Sequence, residues 1–142
     1  MKINHILLIA RDMPAMRDFF VNVIGFEDGP RPPFPFEGHW LYSDGAPQIH
    51  LATASGGRAQ AAYLGSTREF GTTGVIDHLA ITGADFPGLV QRLEKSGTEH
   101  FVRRVPAERH VQVFVAGPEG IKVEMLFPMS VLPSAEALPW PQ

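Results

Sequence analysis

The 142-residue sequence is written twice, and this internal repeat constrains the fold more than any other feature. Asn4-His5 opens the apolar run Ile6-Leu7-Leu8-Ile9-Ala10, and Asp77-His78 opens Leu79-Ala80-Ile81. An aspartate follows each histidine seven positions later, Asp12 and Asp85. Its short side-chain acceptor suits it to cap the first turn of a helix. Apolar residues then recur at helical spacing: Met16, Phe19, Phe20, Val23 and Ile24 in the first copy, Phe86, Leu89, Val90 and Leu93 in the second. Gly25 and Gly97 mark the helix ends, as left-handed caps do.

Each copy closes on a hairpin. Trp40-Leu41-Tyr42 and Pro47–Leu51 flank Asp44-Gly45, while Val111–Val115 and Ile121–Leu126 flank Gly117-Pro118-Glu119-Gly120. Both connectors have turn chemistry. His5 and His78 lie 73 positions apart, His50 and Glu124 lie 74 apart, and so do Trp40 and Phe114. A pattern kept in register across two copies is a repeated supersecondary unit. The fold class read from it is α+β, with two tandem βαβββ modules. Module one covers about residues 3–52 and module two about 75–127, within a single domain of residues 1–142. The third strand of module two is expected at 98–105. In module one the proline-rich run 30–36 reads as a loop feeding a strand. Residues 53–74, rich in Ala, Gly, Ser and Thr, read as a linker, and 128–142 as a proline-rich tail.

Composition removes several chemistries. Without cysteine there is no disulfide, thiolate nucleophile or cysteine-ligated zinc or iron–sulfur site. A net charge of -3 gives no basic face for nucleic acid. The apolar run Ile6–Ala10 is too short to span a membrane, and residues 1–4 lack the character of a signal peptide. The expected setting is cytoplasmic, with a small-molecule substrate rather than nucleic acid or membrane.

The repeat also places four polar residues at matched positions, His5 with His78 and His50 with Glu124. A lone strand histidine is more often a hydrogen-bonded core residue, and a lone buried glutamate an ion-pair partner. Repetition at matched positions favours a shared task instead. Three imidazoles and a carboxylate suit one divalent ion such as Zn, Fe, Ni, Co or Mn. Among the remaining side chains, Trp40, Phe34, Phe36 and Tyr42 fit either a substrate wall or plain core. Arg103 fits an anionic substrate group, or a solvated strand edge together with Arg104 and Arg109. His100 and His110 have no repeat partners and read as surface residues.

These motifs together resemble the vicinal oxygen chelate superfamily, which includes glyoxalases, bleomycin resistance proteins and extradiol dioxygenases. The resemblance rests on Asn4-His5, Phe19-Phe20 with Val23-Ile24-Gly25-Phe26, Ile49-His50-Leu51, Ile76-Asp77-His78-Leu79-Ala80, and Gly117-Pro118-Glu119-Gly120 running into Val123-Glu124. It implies a cup-shaped mixed sheet in which His5 and His78 are first-strand metal ligands and Glu124 the last-strand carboxylate. His50 falls on the position most variable in the family, where it is a ligand, a base or a substrate contact. Bacterial glyoxalase I carries glutathione-holding Arg and Asn residues where this chain has Ile9 and Ala54, which argues against a glutathione-dependent lyase. Phe114 stands where ring-cleaving dioxygenases usually carry tyrosine.

The resemblance thus implies a mononuclear metal enzyme acting on a small oxygen-rich molecule. Lyase or isomerase chemistry is favoured, with His50 or Glu124 moving the proton and Trp40, Phe34, Arg103 and Phe114 contacting substrate. The alternatives are a non-haem iron dioxygenase and a metal-free, bleomycin-resistance-like binding protein. A homodimer is expected from the family.

Overall fold

The computed structural model describes residues 5–64, 78–105 and 109–132. The chain divides into two compact units, Met1–Thr72 and Thr73–Gln142. Each contains a four-stranded mixed sheet built to the same plan. In unit one, β1 (Ile6–Ala10), β2 (Glu27–Gly29), β3 (Gly38–Ser43) and β4 (Ala46–Thr53) run in the order β1-β4-β3-β2. In unit two, β5 (Leu79–Thr82), β6 (His100–Val105), β7 (His110–Ala116) and β8 (Lys122–Pro128) run in the order β5-β8-β7-β6. The outer first strand is parallel to the last in both, and the other pairs are antiparallel.

The alternation of the sequence explains which face is core. Along β7, Val111, Val113 and Val115 are buried while His110, Gln112 and Phe114 are only half-buried. In unit two, α3 (Phe86–Ser96) supplies Phe86, Leu89 and Leu93 to this core, and Phe86 meets Phe127 of β8 edge to face at 5.2 Å. In unit one the equivalent layer comes from α1 (Met13–Asp18) and the turn after it, with Met13, Met16, Phe19, Phe20, Val23 and Ile24 buried alongside Leu41, Ile49 and Leu51.

Both helices begin on the expected aspartates. The Asp12 carboxylate accepts from the Ala15 amide at 2.9 Å, and the Asp85 carboxylate from Gly88 at 2.9 Å. Gly25 and Gly97 end the two segments with φ of 104° and 63°, a region open to glycine at little cost. Asp85→Ala is therefore expected to lower stability by about 1 kcal/mol, measured by urea unfolding. An unchanged midpoint would show that the cap contributes nothing.

Three local features differ from the sequence expectation. The first helical segment is not one α-helix: Phe19–Ile24 widens into π-helical turns, and the Gly25 and Phe26 amides both donate to the Phe20 carbonyl at 2.9 Å. Phe19, Phe20, Val23 and Ile24 can share a buried face in either winding, so apolar spacing does not separate the two. The second strand of module one lies before the proline run, as the three-residue β2, where Glu27-Asp28-Gly29 offers no apolar alternation. Part of the expected linker is helical, α2 (Gly57–Leu64), consistent with the high helix propensity of its alanines. The rest of the linker, from 65, lies outside the described residues, as does most of the tail, 133–142. Among the described residues no helix is long and apolar enough to cross a membrane.

Candidate functional site

The strand registers put the candidate residues on two matching rows. In unit one, His50 of β4 pairs with Leu7 on one side and Trp40 on the other. In unit two, Glu124 of β8 pairs with Ala80 and Phe114. His5 and His78 each stand one residue before the first strand of their unit, two positions before Leu7 and Ala80 respectively. Because alternate residues of a strand share a face, each histidine is carried to the same side as its row.

The side chains meet accordingly. In unit one, the His50 ring stacks on His5 at 4.0 Å and on Trp40 at 4.2 Å, with interplanar angles of 15° and 6°. In unit two, His78 Nε2 lies 2.8 Å from Glu124 Oε2, and Phe114 meets the His78 ring edge to face at 5.7 Å. Glu124 is only 6% exposed, a depth at which a carboxylate is rare unless it is paired.

His50 is the least satisfied of these groups. Its Nε2 is buried and has no hydrogen-bond partner among the described residues. Buried polar atoms are paired in the great majority of cases, so an orphan of this kind calls for a role. Burial holds the imidazole below the ordinary histidine range, the neighbouring His5 adds to the effect, and a backbone hydrogen bond at Pro47 opposes it. An imidazole kept neutral, with one nitrogen uncommitted, has the form required of a metal ligand or a proton acceptor. The carboxylate–imidazole pair of unit two has compatible donor chemistry. The donor types therefore fit a divalent ion. Each unit brings its own pair together; among the described residues no group of three or more His, Asp or Glu side chains stands at metal-binding spacing.

The lowered His50 pKa makes a pH prediction for the metal-free protein. As pH falls below about 6.5 the unfolded chain takes up a proton that native His50 resists. Stability conferred by neutral His50 is thus present above that pH, and is lost on acidification until the lower native pKa is passed. His50→Gln should flatten this part of the stability profile between about pH 7 and 5. Unchanged slopes in parallel denaturation series would contradict it.

A cleft of about 420 Å³ opens beside the unit-one row, lined by His5, Leu7, Arg31, Phe34, Phe36, Trp40, Pro47, His50, Leu51 and Ala52. Trp40 and Phe34, expected at a substrate wall, therefore line it together, with their rings 6.3 Å apart. Tyr42 is used otherwise. Its hydroxyl donates to the Pro30 carbonyl at 2.7 Å, beyond a register shift between Leu41 and Tyr42, and so ties the proline loop to the sheet. Arg103 and Phe114 sit in unit two. The Arg103 guanidinium lies 5.5 Å from the Phe114 ring centroid, and its Nε and Nη2 donate to Gln112 Oε1 at 2.8 and 2.6 Å. His100 is half-buried, with Nδ1 2.8 Å from the Thr98 carbonyl oxygen.

Sequence reasoning missed Arg31. It projects from the proline run with its guanidinium carbon 5.0 and 5.2 Å from the centroids of Phe34 and Phe36. The available signal was an isolated cation among closely spaced aromatic residues.

Comparison with known proteins agrees with this plan. The family model described as Glyoxalase/Bleomycin resistance protein/Dioxygenase superfamily matches residues 2–125. No curated protein matches the chain. Among solved structures, a glyoxylase/bleomycin resistance protein/dioxygenase domain from Frankia sp. EAN1pec superposes with a TM-score of 0.66 at 18% identity, covering 90% of this chain and 98% of that one. A lactoylglutathione lyase from Agrobacterium tumefaciens gives 0.63 at 19% identity, covering 88% and 92%. TnmS3, an antibiotic binding protein from Streptomyces sp. CB03234, gives 0.61 at 16% identity, covering 90% and 96%. At these identities the structural likeness speaks for the fold alone. The family match, spanning both modules and the rows that carry His50 and Glu124, means that the chain belongs to the glyoxalase/bleomycin resistance protein/dioxygenase superfamily.

Proposed function

We propose that this protein is a mononuclear metal enzyme that moves a proton at a carbon beside a carbonyl in a small oxygen-rich molecule, as a lyase or isomerase. The observation that carries the reading is the matched pair of rows. One strand register delivers His5 with His50 in unit one and His78 with Glu124 in unit two, with a buried imidazole nitrogen on the first row that has no hydrogen-bond partner among the described residues. His5, His50, His78 and Glu124 are the residues that would hold the ion. When bound, a divalent ion of the Zn, Fe, Ni, Co or Mn group supplies Lewis-acid polarisation of the substrate carbonyl and acidifies the adjacent carbon.

The chain's own groups do the rest. Burial keeps His50 neutral, so its Nε2 is fit either to hold the ion or, when left free of it, to accept the proton, and Glu124 occupies the matched position in the other module as the alternative carrier. Trp40 and Phe34 provide an apolar wall that limits water in the unit-one cleft. Phe114, beside His78, and Arg103 would contact the substrate from unit two. We place the protein in the cytoplasm as a homodimer, the assembly in which members of this family commonly work.

The test is hydrogen–deuterium exchange into a panel of α-hydroxy and α-keto carbonyl compounds, with and without added Zn, Ni, Co, Mn or ferrous ion. Metal-dependent exchange next to the carbonyl supports the reading. Oxygen consumption only with ferrous ion would favour ring- or bond-cleaving dioxygenase chemistry, for which His5, His78 and Glu124 form a two-His-one-carboxylate set. Stoichiometric ligand binding with neither exchange nor oxygen uptake would favour a binding protein, as TnmS3 of Streptomyces sp. CB03234 is.

A further inference from the structure

The proline run of unit one carries a feature that the proposed metal chemistry does not use. Arg31 is clamped over two parallel rings: Phe34 and Phe36 lie 5.6 Å apart with an interplanar angle of 7°, and both face its guanidinium. Its Nη2 donates to the Phe36 carbonyl at 2.7 Å, which fixes the planar head. No carboxylate pairs with it among the described residues, and Nη1 and Nε have no protein acceptor there.

The same residue lines the cleft beside His50, and among the described residues no Asp or Glu lines it with Arg31. Leu7, Phe34, Phe36, Trp40 and Pro47 make the rest of that wall largely apolar. A permanently charged, immobilised guanidinium at an apolar cavity disfavours cations, and it offers a carboxylate a planar hydrogen-bonding fork. The side chain's freedom is already spent on the protein, so little more is lost when an anion binds.

We infer that this cleft selects an organic carboxylate with an apolar, ring-sized body, and that Arg31 is the residue that reads the carboxylate. The inference rests on the reading of the cleft as the ligand end of the proposed site, and it names the substrate class that site would take.

Binding of 2-naphthoate and of its neutral counterpart 2-naphthamide, measured by isothermal titration on the full chain, tests it. The carboxylate should bind at least about tenfold more tightly, as expected for a charge-assisted hydrogen bond. Arg31→Gln should bring the two ligands to within about twofold, while Arg31→Lys should keep part of the preference. The comparison is made on chelator-treated and on metal-loaded protein. A preference that persists without metal and disappears in Arg31→Gln supports the inference whatever the fate of the metal reading. A preference seen only with metal and insensitive to Arg31→Gln overturns it while leaving the metal reading intact. Equal affinities in the wild type, or no binding of either ligand, also overturn it, and these outcomes need no folded variant.

Discussion

Replacing Glu124 with glutamine is expected to weaken divalent-metal binding by at least about 100-fold, since even the loss of an outer partner of a metal ligand costs about 10- to 100-fold. Glutamine keeps the size of the side chain and a carbonyl oxygen that can still accept from His78, so the 2.8 Å contact has a neutral substitute. What disappears is the negative charge, held at a position only 6% exposed. A buried carboxylate beside an imidazole is costly to desolvate unless it has a partner that repays the charge. His78 is one such partner, and a divalent ion is a stronger one. The variant should therefore keep its fold and near wild-type metal-free stability while losing the ion. Competition with a chromophoric chelator for zinc or cobalt measures this. Equal affinities in the two proteins would reduce Glu124 and His78 to an internal hydrogen-bonded pair.

The largest stability effect is expected at Phe127. Its side chain is fully buried, it meets Phe86 of α3 edge to face, and its ring fills the space above Gly83, where any added side-chain carbon would overlap it. Gly83 in turn donates its amide to the Leu126 carbonyl at 2.8 Å, so the backbone there has little room to retreat. Phe127→Ala should cost about 3–5 kcal/mol from lost burial and the cavity left behind. Gly83→Ala should cost about 1–3 kcal/mol by overpacking. Because the cavity of one variant accepts the methyl group of the other, the double variant should be more stable than additivity predicts, by about 0.5–3 kcal/mol. Denaturant unfolding of the four proteins measures the cycle. Strict additivity, or a loss below about 1 kcal/mol for Phe127→Ala, would contradict this packing.

The parts of the molecule that were legible in the sequence are those fixed by short-range rules. Aspartate caps, glycine stops and hairpin turns are local, and the offsets of 73 and 74 residues translate directly into matched strand registers. Trp40 opposite His50 and Phe114 opposite Glu124 follow from that arithmetic. Features that depend on packing were not legible. The π-helical winding at Phe19–Ile24 shares its apolar spacing with an ordinary helix, β2 has no alternation to read, and an alanine-rich stretch served equally as linker or as α2. Arg31 escaped notice because its significance lies in the rings and the sheet face that the fold brings to it. Within the candidate site, register brings His5 to His50 and His78 to Glu124. Joining the two pairs on one ion is a property of how modules associate, which strand register does not encode.

The most direct test of the shared centre is metal content by plasma mass spectrometry on untagged protein, comparing the wild type with His5→Ala from module one and Glu124→Ala from module two. About one ion per chain is expected in the wild type, and its loss from both variants, each still folded by circular dichroism. Retention of the ion in either variant would contradict a centre shared by the two modules. So would a wild-type protein that stays metal-free after reconstitution with Zn, Fe, Ni, Co and Mn in turn.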